Sequence, residues 1–275
     1  VGVLLTDKCT HALFLALIHR KTVGRCWSVG IPVDTYRAAV DAAYMAEMEV
    51  RFMPPAYTPF NKWALCDCKM PVTLGGGAIP REWYTKENAI IDAAHTGYFG
   101  MFDEAPKEWK AVVCLSFFPT KPFGAFGGGA MIGPKNVIEG SRKMAWPTET
   151  GVRSTFMYPQ GIQSLGIYSR LLHNEVTANM HAGWTDTATR LLIVLEEYGF
   201  TLRWPFKVPH IASFTHSDPK QVVELRETVR TLGYETGKHY EPLFATLGTD
   251  LDWVSLPFIY PDLPGELQEA YRDLS

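Results

Sequence analysis

Ala111-Val112-Val113-Cys114-Leu115-Ser116-Phe117-Phe118-Pro119-Thr120-Lys121 begins with five apolar residues in a row and ends on a lysine, shortly before the turn Gly127-Gly128-Gly129. A short, unbroken apolar run reads as a strand covered on both faces, the kind found in a parallel sheet with helices on each side. Lys121 therefore follows the carboxyl end of a core strand. An amine held there is close to low-dielectric surroundings, which disfavour its charged form, and a neutral amine can attack a carbonyl to form a Schiff base. The competing reading is a solvated surface lysine, because lysine is seldom buried.

The run before it, Asn88-Ala89-Ile90-Ile91-Asp92-Ala93-Ala94-His95, reads as a second buried strand with a carboxylate at its exit. In an open α/β sheet the ligand crevice lies outside the carboxyl ends of the strands, which lets Asp92 and Lys121 face one site. Pyridoxal phosphate chemistry uses such a pair: the lysine holds the aldehyde, and the aspartate keeps the pyridine nitrogen protonated so that the ring is an electron sink. Asp92 read by itself is more often a helix N-cap.

Val112 to Ala130 resembles the lysine segment of the DegT/DnrJ/EryC1/StrS family of pyridoxal-phosphate-dependent sugar aminotransferases, and Ile90 to His95 resembles its cofactor-aspartate segment. Thr6-Asp7-Lys8-Cys9-Thr10-His11-Ala12-Leu13 is similar to the family's phosphate-binding turn, and Thr236 to Leu243 to its late His-Tyr-x-Pro-Leu motif. Val254 to Pro257 and Tyr260 to Leu263 match its ending, and all the motifs stand in the family's order. The resemblance implies a fold type I pyridoxal-phosphate transferase, with a mixed, mostly parallel sheet flanked by helices and a small α+β unit at the C-terminal end. It implies roles for particular residues as well. Lys121 and Asp92 are the catalytic pair, Cys9, Thr10 and Ser116 hold the phosphate, Tyr36 stacks on the ring, His95 lies beside the phenolic oxygen, and His239 and Tyr240 meet substrate.

Each of these has an ordinary alternative. Thr10 can simply cap its helix, Ser116 can satisfy a strand end, Tyr36 can be core packing at a helix start, and His95 can be an ordinary hydrogen-bonded histidine. Two features depart from the family pattern. The chain begins close to the phosphate turn, where members carry a preceding helix and arm, so part of the usual substrate or dimer surface is expected to be missing. Ser154-Thr155-Phe156-Met157-Tyr158 stands where the family shows Gly-Tyr-Asn-x-Arg.

The chain has 275 residues and a formal net charge of -3, long enough for one large or two smaller domains and without a basic footprint for nucleic acid. No apolar stretch is long enough to span a bilayer and the start lacks a signal-peptide pattern, so the expected location is the cytoplasm. The five cysteines have no disulfide-framework spacing, and Cys66-Asp67-Cys68 lacks a second ligand pair at a zinc spacing. Neither Gly75-Gly76-Gly77 nor Gly127-Gly128-Gly129 has the spacing of a nucleotide loop; both read as tight turns, the second leading into a strand.

Periodicity predicts a strand over Val3 to Thr6, a helix from Thr10 to about Ile18, a strand and turn from Val29 to Tyr36, and a helix from Arg37 to about Met48. Farther on it predicts helices over Ile162 to His173, Ala182 to Glu197, Pro219 to Leu232 and Pro264 to Leu274, with a strand at His210 to Thr215. The expected division is a large cofactor-binding α/β domain over 1–155 and a small α+β domain over 156–275.

Taken together, the resemblance implies transfer of an amino group from an amino acid, usually glutamate, to a keto sugar, in a homodimer with no metal. Two other outcomes stay open. One is a pyridoxal phosphate enzyme of another kind, such as a decarboxylase, acting on an amino acid or modified nucleotide. The other is a protein that keeps the fold without turnover.

Overall fold

The apolar runs pair into sheets. A computed structural model describes residues 1–53, 63, 66–96, 108–118, 120–122, 127–145, 175–203, 206, 209, 211–236, 253–256 and 261–274. Its first seven strands are β1 (Gly2–Thr6), β2 (Ser28–Pro32), β3 (Glu49–Met53), β4 (Cys68–Lys69), β5 (Ile90–Asp92), β6 (Val112–Ser116) and β7 (Gly129–Gly133). They form the ladders β3-β2-β4 and β5-β6-β7-β1. Parallel bridges between Lys69 and Ala89 and between Val72 and Asp92 join the two edge to edge. Neighbours pair in parallel except at β7, which runs antiparallel to both β6 and β1. The mostly parallel sheet expected from the sequence is present.

Why the strands read as continuous apolar runs is visible in their packing. Ile90, Val112, Cys114 and Met131 enter one cluster, with residues of the helices α1 (Cys9–Thr22), α2 (Arg37–Met45) and α3 (Lys135–Ala145). Their neighbours Ile91, Val113, Leu115 and Ala130 enter a second cluster on the other face, around Trp63, Trp83 and Tyr84. Successive side chains in a strand point to opposite faces, so a strand buried on both sides cannot spend alternate positions on polar residues. Ala12 and Ala16 of α1 and Ala39, Ala42 and Ala43 of α2 are wholly or almost wholly buried, and their small side chains let the two helices pack closely.

Helix α1 starts at Cys9, one residue before the predicted Thr10, and runs a turn past Ile18. The extension fits its composition, since Arg20 and Lys21 in the last turn complement the negative end of the helix dipole. Helix α2 stops at Met45, short of the expected Met48, because Glu47 takes a left-handed conformation (φ 52°) that turns the chain into β3.

The C-terminal part contains α4 (Glu175–Glu197), β8 (Thr201–Leu202), β9 (Ala212–Thr215), α5 (Pro219–Thr231), β10 (Trp253–Leu256) and α6 (Leu263–Leu274). Helix α4 begins ahead of the predicted Ala182, while α5 and α6 fall where periodicity placed them. Strands β8, β9 and β10 form an antiparallel sheet in the order β10-β9-β8. A separate apolar cluster that includes Leu191, Leu195, Phe214, Leu225 and Leu267 holds it against the helices. The predicted helix at Ile162 to His173, the Ser154 to Tyr158 segment and the boundary at 155/156 lie outside the described residues. Among the described residues no helix is long and apolar enough to cross a membrane.

Candidate active site

The carboxyl ends of the parallel strands open onto a cavity of about 600 Å³. Its lining includes Cys9, Thr10, Tyr36, Asp92, His95, Ser116 and Lys121, so one space collects every sequence-predicted site residue that falls among the described ones. His239 and Tyr240 lie outside the described residues. Topology does the collecting: β1 leads into α1 at Cys9, β5 ends on Asp92, β6 ends on Ser116, and the turn after β2 presents Tyr36 at the start of α2.

Asp92 is 5 % exposed, and its Oδ1 accepts the Ala94 amide at 3.1 Å and the Cys9 thiol at 3.9 Å. The carboxylate thus caps a local turn, since no helix starts in residues 93–96. Burial pushes its pKa up, opposed by the Ala94 amide, the Lys121 charge and the Cys9 thiol. Lys121 is not the solvated lysine of the alternative reading. Burial lowers its pKa, with Asp92 acting first in the opposite direction, and its Nζ lies 2.8 Å from His95 Nε2. His95 itself is 2 % exposed.

One end of the cavity is made by the start of α1. Its N-cap is Lys8, in an extended conformation and without a side-chain cap, so Thr10 is a residue of the first turn and not the cap. Helix starts of this kind attract anions through their open amides and the helix dipole, and no acidic residue in the first turn of α1 opposes this. Thr6 Oγ1 donates to the Lys8 carbonyl at 2.9 Å and holds the turn in shape. Ser116 Oγ accepts the Phe118 amide at a long 3.4 Å, which leaves its own O–H available for the cavity.

Gly127 and Gly128 line the cavity at φ 115° and 106°, a backbone region that favours glycine. Gly129 makes a close approach of its own: a Cβ there would come within 2.6 Å of Cys9 N and of Lys8 C. A residue without a side chain is what lets β7 lie against the start of α1.

Several lining residues carry no signal that sequence reasoning used. Lys8, Asp7, Phe118 and Thr120 border the cavity, Asp7 pairs with His11, and Val72 and Leu74 form an apolar wall from the β4–β5 connection. His181 of α4 is hydrogen-bonded to the Pro122 carbonyl, next to Lys121, and burial lowers its pKa. The thiol of Cys9 was also missed. Its contact is the Asp92 carboxylate, a partner 83 positions away in sequence.

No family model matches the chain, and no curated protein does. Solved structures do. A DegT DnrJ EryC1 StrS aminotransferase from Brucella abortus is 16% identical with a TM-score of 0.69, over 100% of this chain and 86% of that one. DesV of S. venezuelae, solved with a ketimine intermediate, is 19% identical with a TM-score of 0.75, over 99% of this chain and 84% of that one. PseC of Helicobacter pylori, an aminotransferase of pseudoaminic acid biosynthesis, is 13% identical with a TM-score of 0.75, over 99% and 87%. Across nearly its whole length, this chain has the fold of the DegT DnrJ EryC1 StrS aminotransferases.

Proposed function

We propose that the chain is a pyridoxal-phosphate-dependent aminotransferase that moves an amino group from an amino acid, glutamate, to a keto sugar, a nucleotide-linked one. The observation that carries this reading is one cavity holding a half-buried amine, a buried carboxylate and an open helix start together. The neighbours of the same fold named above, aminotransferases by description, support it.

The residues fit the cofactor. The volume of about 600 Å³ lies in the range of small-molecule sites. A carboxylate at one end suits a ring nitrogen that must keep a proton, and the α1 start with Thr10 and Ser116 suits a phosphate. Bound pyridoxal phosphate supplies an electron sink for the pair of electrons released at the donor's alpha carbon.

Lys121 holds the cofactor and carries the proton. Burial depresses its pKa, so its amine is neutral, and thus nucleophilic, at lower pH than an ordinary lysine. His95 Nε2, 2.8 Å away, positions Nζ and can exchange a proton with it. Asp92 holds the ring-nitrogen proton. Its raised pKa makes it a stronger base than a solvated carboxylate and so a better partner for that proton. Tyr36 would cover a bound ring, and the apolar side chains of Leu13, Val72 and Leu74 would exclude water from the cavity.

The same reading takes His239 and Tyr240 as substrate contacts and 1–155 and 156–275 as two domains. It also takes the assembly to be a homodimer and the location to be the cytoplasm. Borohydride treatment of the chain with pyridoxal phosphate, followed by peptide mapping, tests the core of it. A pyridoxyl group is expected on Lys121, and glutamate added beforehand should prevent it by converting the cofactor to its amine form. A label on another lysine, or none, overturns the reading.

A further inference from the structure

Away from the cavity, at the amino-terminal ends of β2 and β4, two cysteines sit on either side of a hydrogen-bonded clasp. Asp67 Oδ2 accepts the Trp27 amide at 2.9 Å, the Ser28 amide at 3.0 Å and the Ser28 hydroxyl at 3.0 Å. Ser28 Oγ in turn accepts the Asp67 amide at 3.0 Å. Cys26 immediately precedes Trp27 and Cys68 immediately follows Asp67, so the clasp brings the two together, and β2 and β4 are in register with Val29 opposite Cys68. Their thiols are near enough to influence each other, and Cys26 Sγ also contacts the Gly24 carbonyl at 3.7 Å. Cys26 is partly accessible and Cys68 wholly buried. Cys66, the near neighbour, contacts the Trp63 carbonyl at 3.8 Å instead.

We propose that Cys26 and Cys68 are a reversible redox pair, a modification site that a peroxide closes to a disulfide. The neighbouring Cys68 thiol pulls the Cys26 pKa down to about 7, helped by the Arg20 charge and opposed by burial, Asp67 and Glu87. Cys68 is pushed up, first by its Cys26 neighbour and then by burial, and keeps its proton. A partly exposed thiolate beside a protonated, buried thiol is the arrangement of an attacking and a resolving cysteine.

The chemistry balances with peroxide as the oxidant. The Cys26 sulfur attacks one peroxide oxygen and the O–O bond breaks. Cys26 is oxidised to a sulfenic acid, and hydroxide leaves and is protonated to water. The Cys68 sulfur then attacks the Cys26 sulfur. An S–S bond forms, the S–O bond breaks, and the proton of Cys68 departs with the hydroxyl as a second water. Two electrons from the thiol pair have reduced one peroxide to two waters.

The test uses the purified, reduced chain treated with hydrogen peroxide at neutral pH, alkylated, digested without reductant and mapped by mass. A Cys26 peptide linked to a Cys68 peptide is expected, and the thiol titre of the denatured protein should fall from five to three. Dithiothreitol should restore it. Cys26→Ser, at a partly exposed site, should abolish both the link and the loss of thiols, whereas Cys66→Ala should leave the link in place. A link to Cys66, an unresolved sulfinic acid on Cys26 or an unchanged titre each overturns the proposal. The readout needs no cofactor, so its outcome is independent of the aminotransferase reading.

Discussion

The thiol of Cys9, the first residue of α1, donates to the carboxylate of Asp92, the last residue of β5, at 3.9 Å. The contact ties the helix that would hold the phosphate to the side chain that would hold the ring proton. Cys114, opposite Asp92 in the β5–β6 ladder, adds a second buried thiol nearby. Both thiols have pKa values pushed well up, first by burial, so both stay protonated beside the carboxylate. Replacing Cys9 should therefore tune Asp92. Cys9→Ala removes a donor and should move the acid limb of pyridoxal phosphate binding to higher pH; Cys9→Ser, a stronger donor where it still reaches, should move it lower. Cofactor titrations across a pH series measure both shifts.

Lys121 is where turnover should fail outright. Lys121→Ala should lose the borohydride label and cut the glutamate half-reaction by about 10²–10⁴-fold, the usual scale for losing a positioned acid–base group. Lys121→Arg keeps a cation but cannot present a neutral amine, so it should be equally inactive. Single-turnover absorbance of the cofactor checks both variants.

Asp92 carries a stability signature that can be read without cofactor. Its pKa is raised in the folded chain, so folding favours the protonated form. The stability it contributes is fully present below its unfolded pKa, about 3.8, and is lost as pH rises through the folded value. Asp92→Asn keeps an acceptor for the Ala94 amide without the buried charge. At neutral pH the cofactor-free variant should melt above the wild type, with the gap closing toward acid pH, while its half-reaction falls on the order of 10²-fold. Calorimetry over a pH series reads the first effect, and a variant that melts lower at neutral pH would contradict it.

Gly129 and Gly30 make a matched pair. An alanine Cβ at Gly129 meets backbone, Cys9 N and Lys8 C at 2.6 Å, and neither atom can move without displacing the start of α1. At Gly30 it meets Cys66 Sγ at 2.6 Å and Met53 Cγ at 2.9 Å, both on side chains that can turn aside. Gly129→Ala should cost about 3 kcal/mol, the upper end of the overpacking range, and weaken cofactor binding, whereas Gly30→Ala should cost less and leave binding intact. Denaturant unfolding and cofactor titration of the two variants give the comparison.

By itself the sequence determined the elements that depend on local pattern. Ala111 to Leu115 had to be a strand buried on both faces because no polar residue alternates with the apolar ones, and a lysine after it had to lie at a strand exit. Ala12 to Leu17 had to be helical, and the glycine runs had to turn. The α5 and α6 boundaries followed from the same periodicity, with Pro219 and Pro264 set in their first turns.

Tertiary structure decided what depends on partners far away in the chain. Strand β7 inserts antiparallel between β6 and β1, and that pairing carries Lys8, Cys9 and Thr10 to the same cavity as Asp92, Ser116 and Lys121. Hydrophobic periodicity reports which face of an element is buried but not which strand lies beside it, since register comes from non-local packing and backbone hydrogen bonds. For the same reason the inward thiol of Cys9, the approach of His181 to Pro122 and the Cys26–Cys68 contact had no trace in local sequence. Each is set by where whole elements dock.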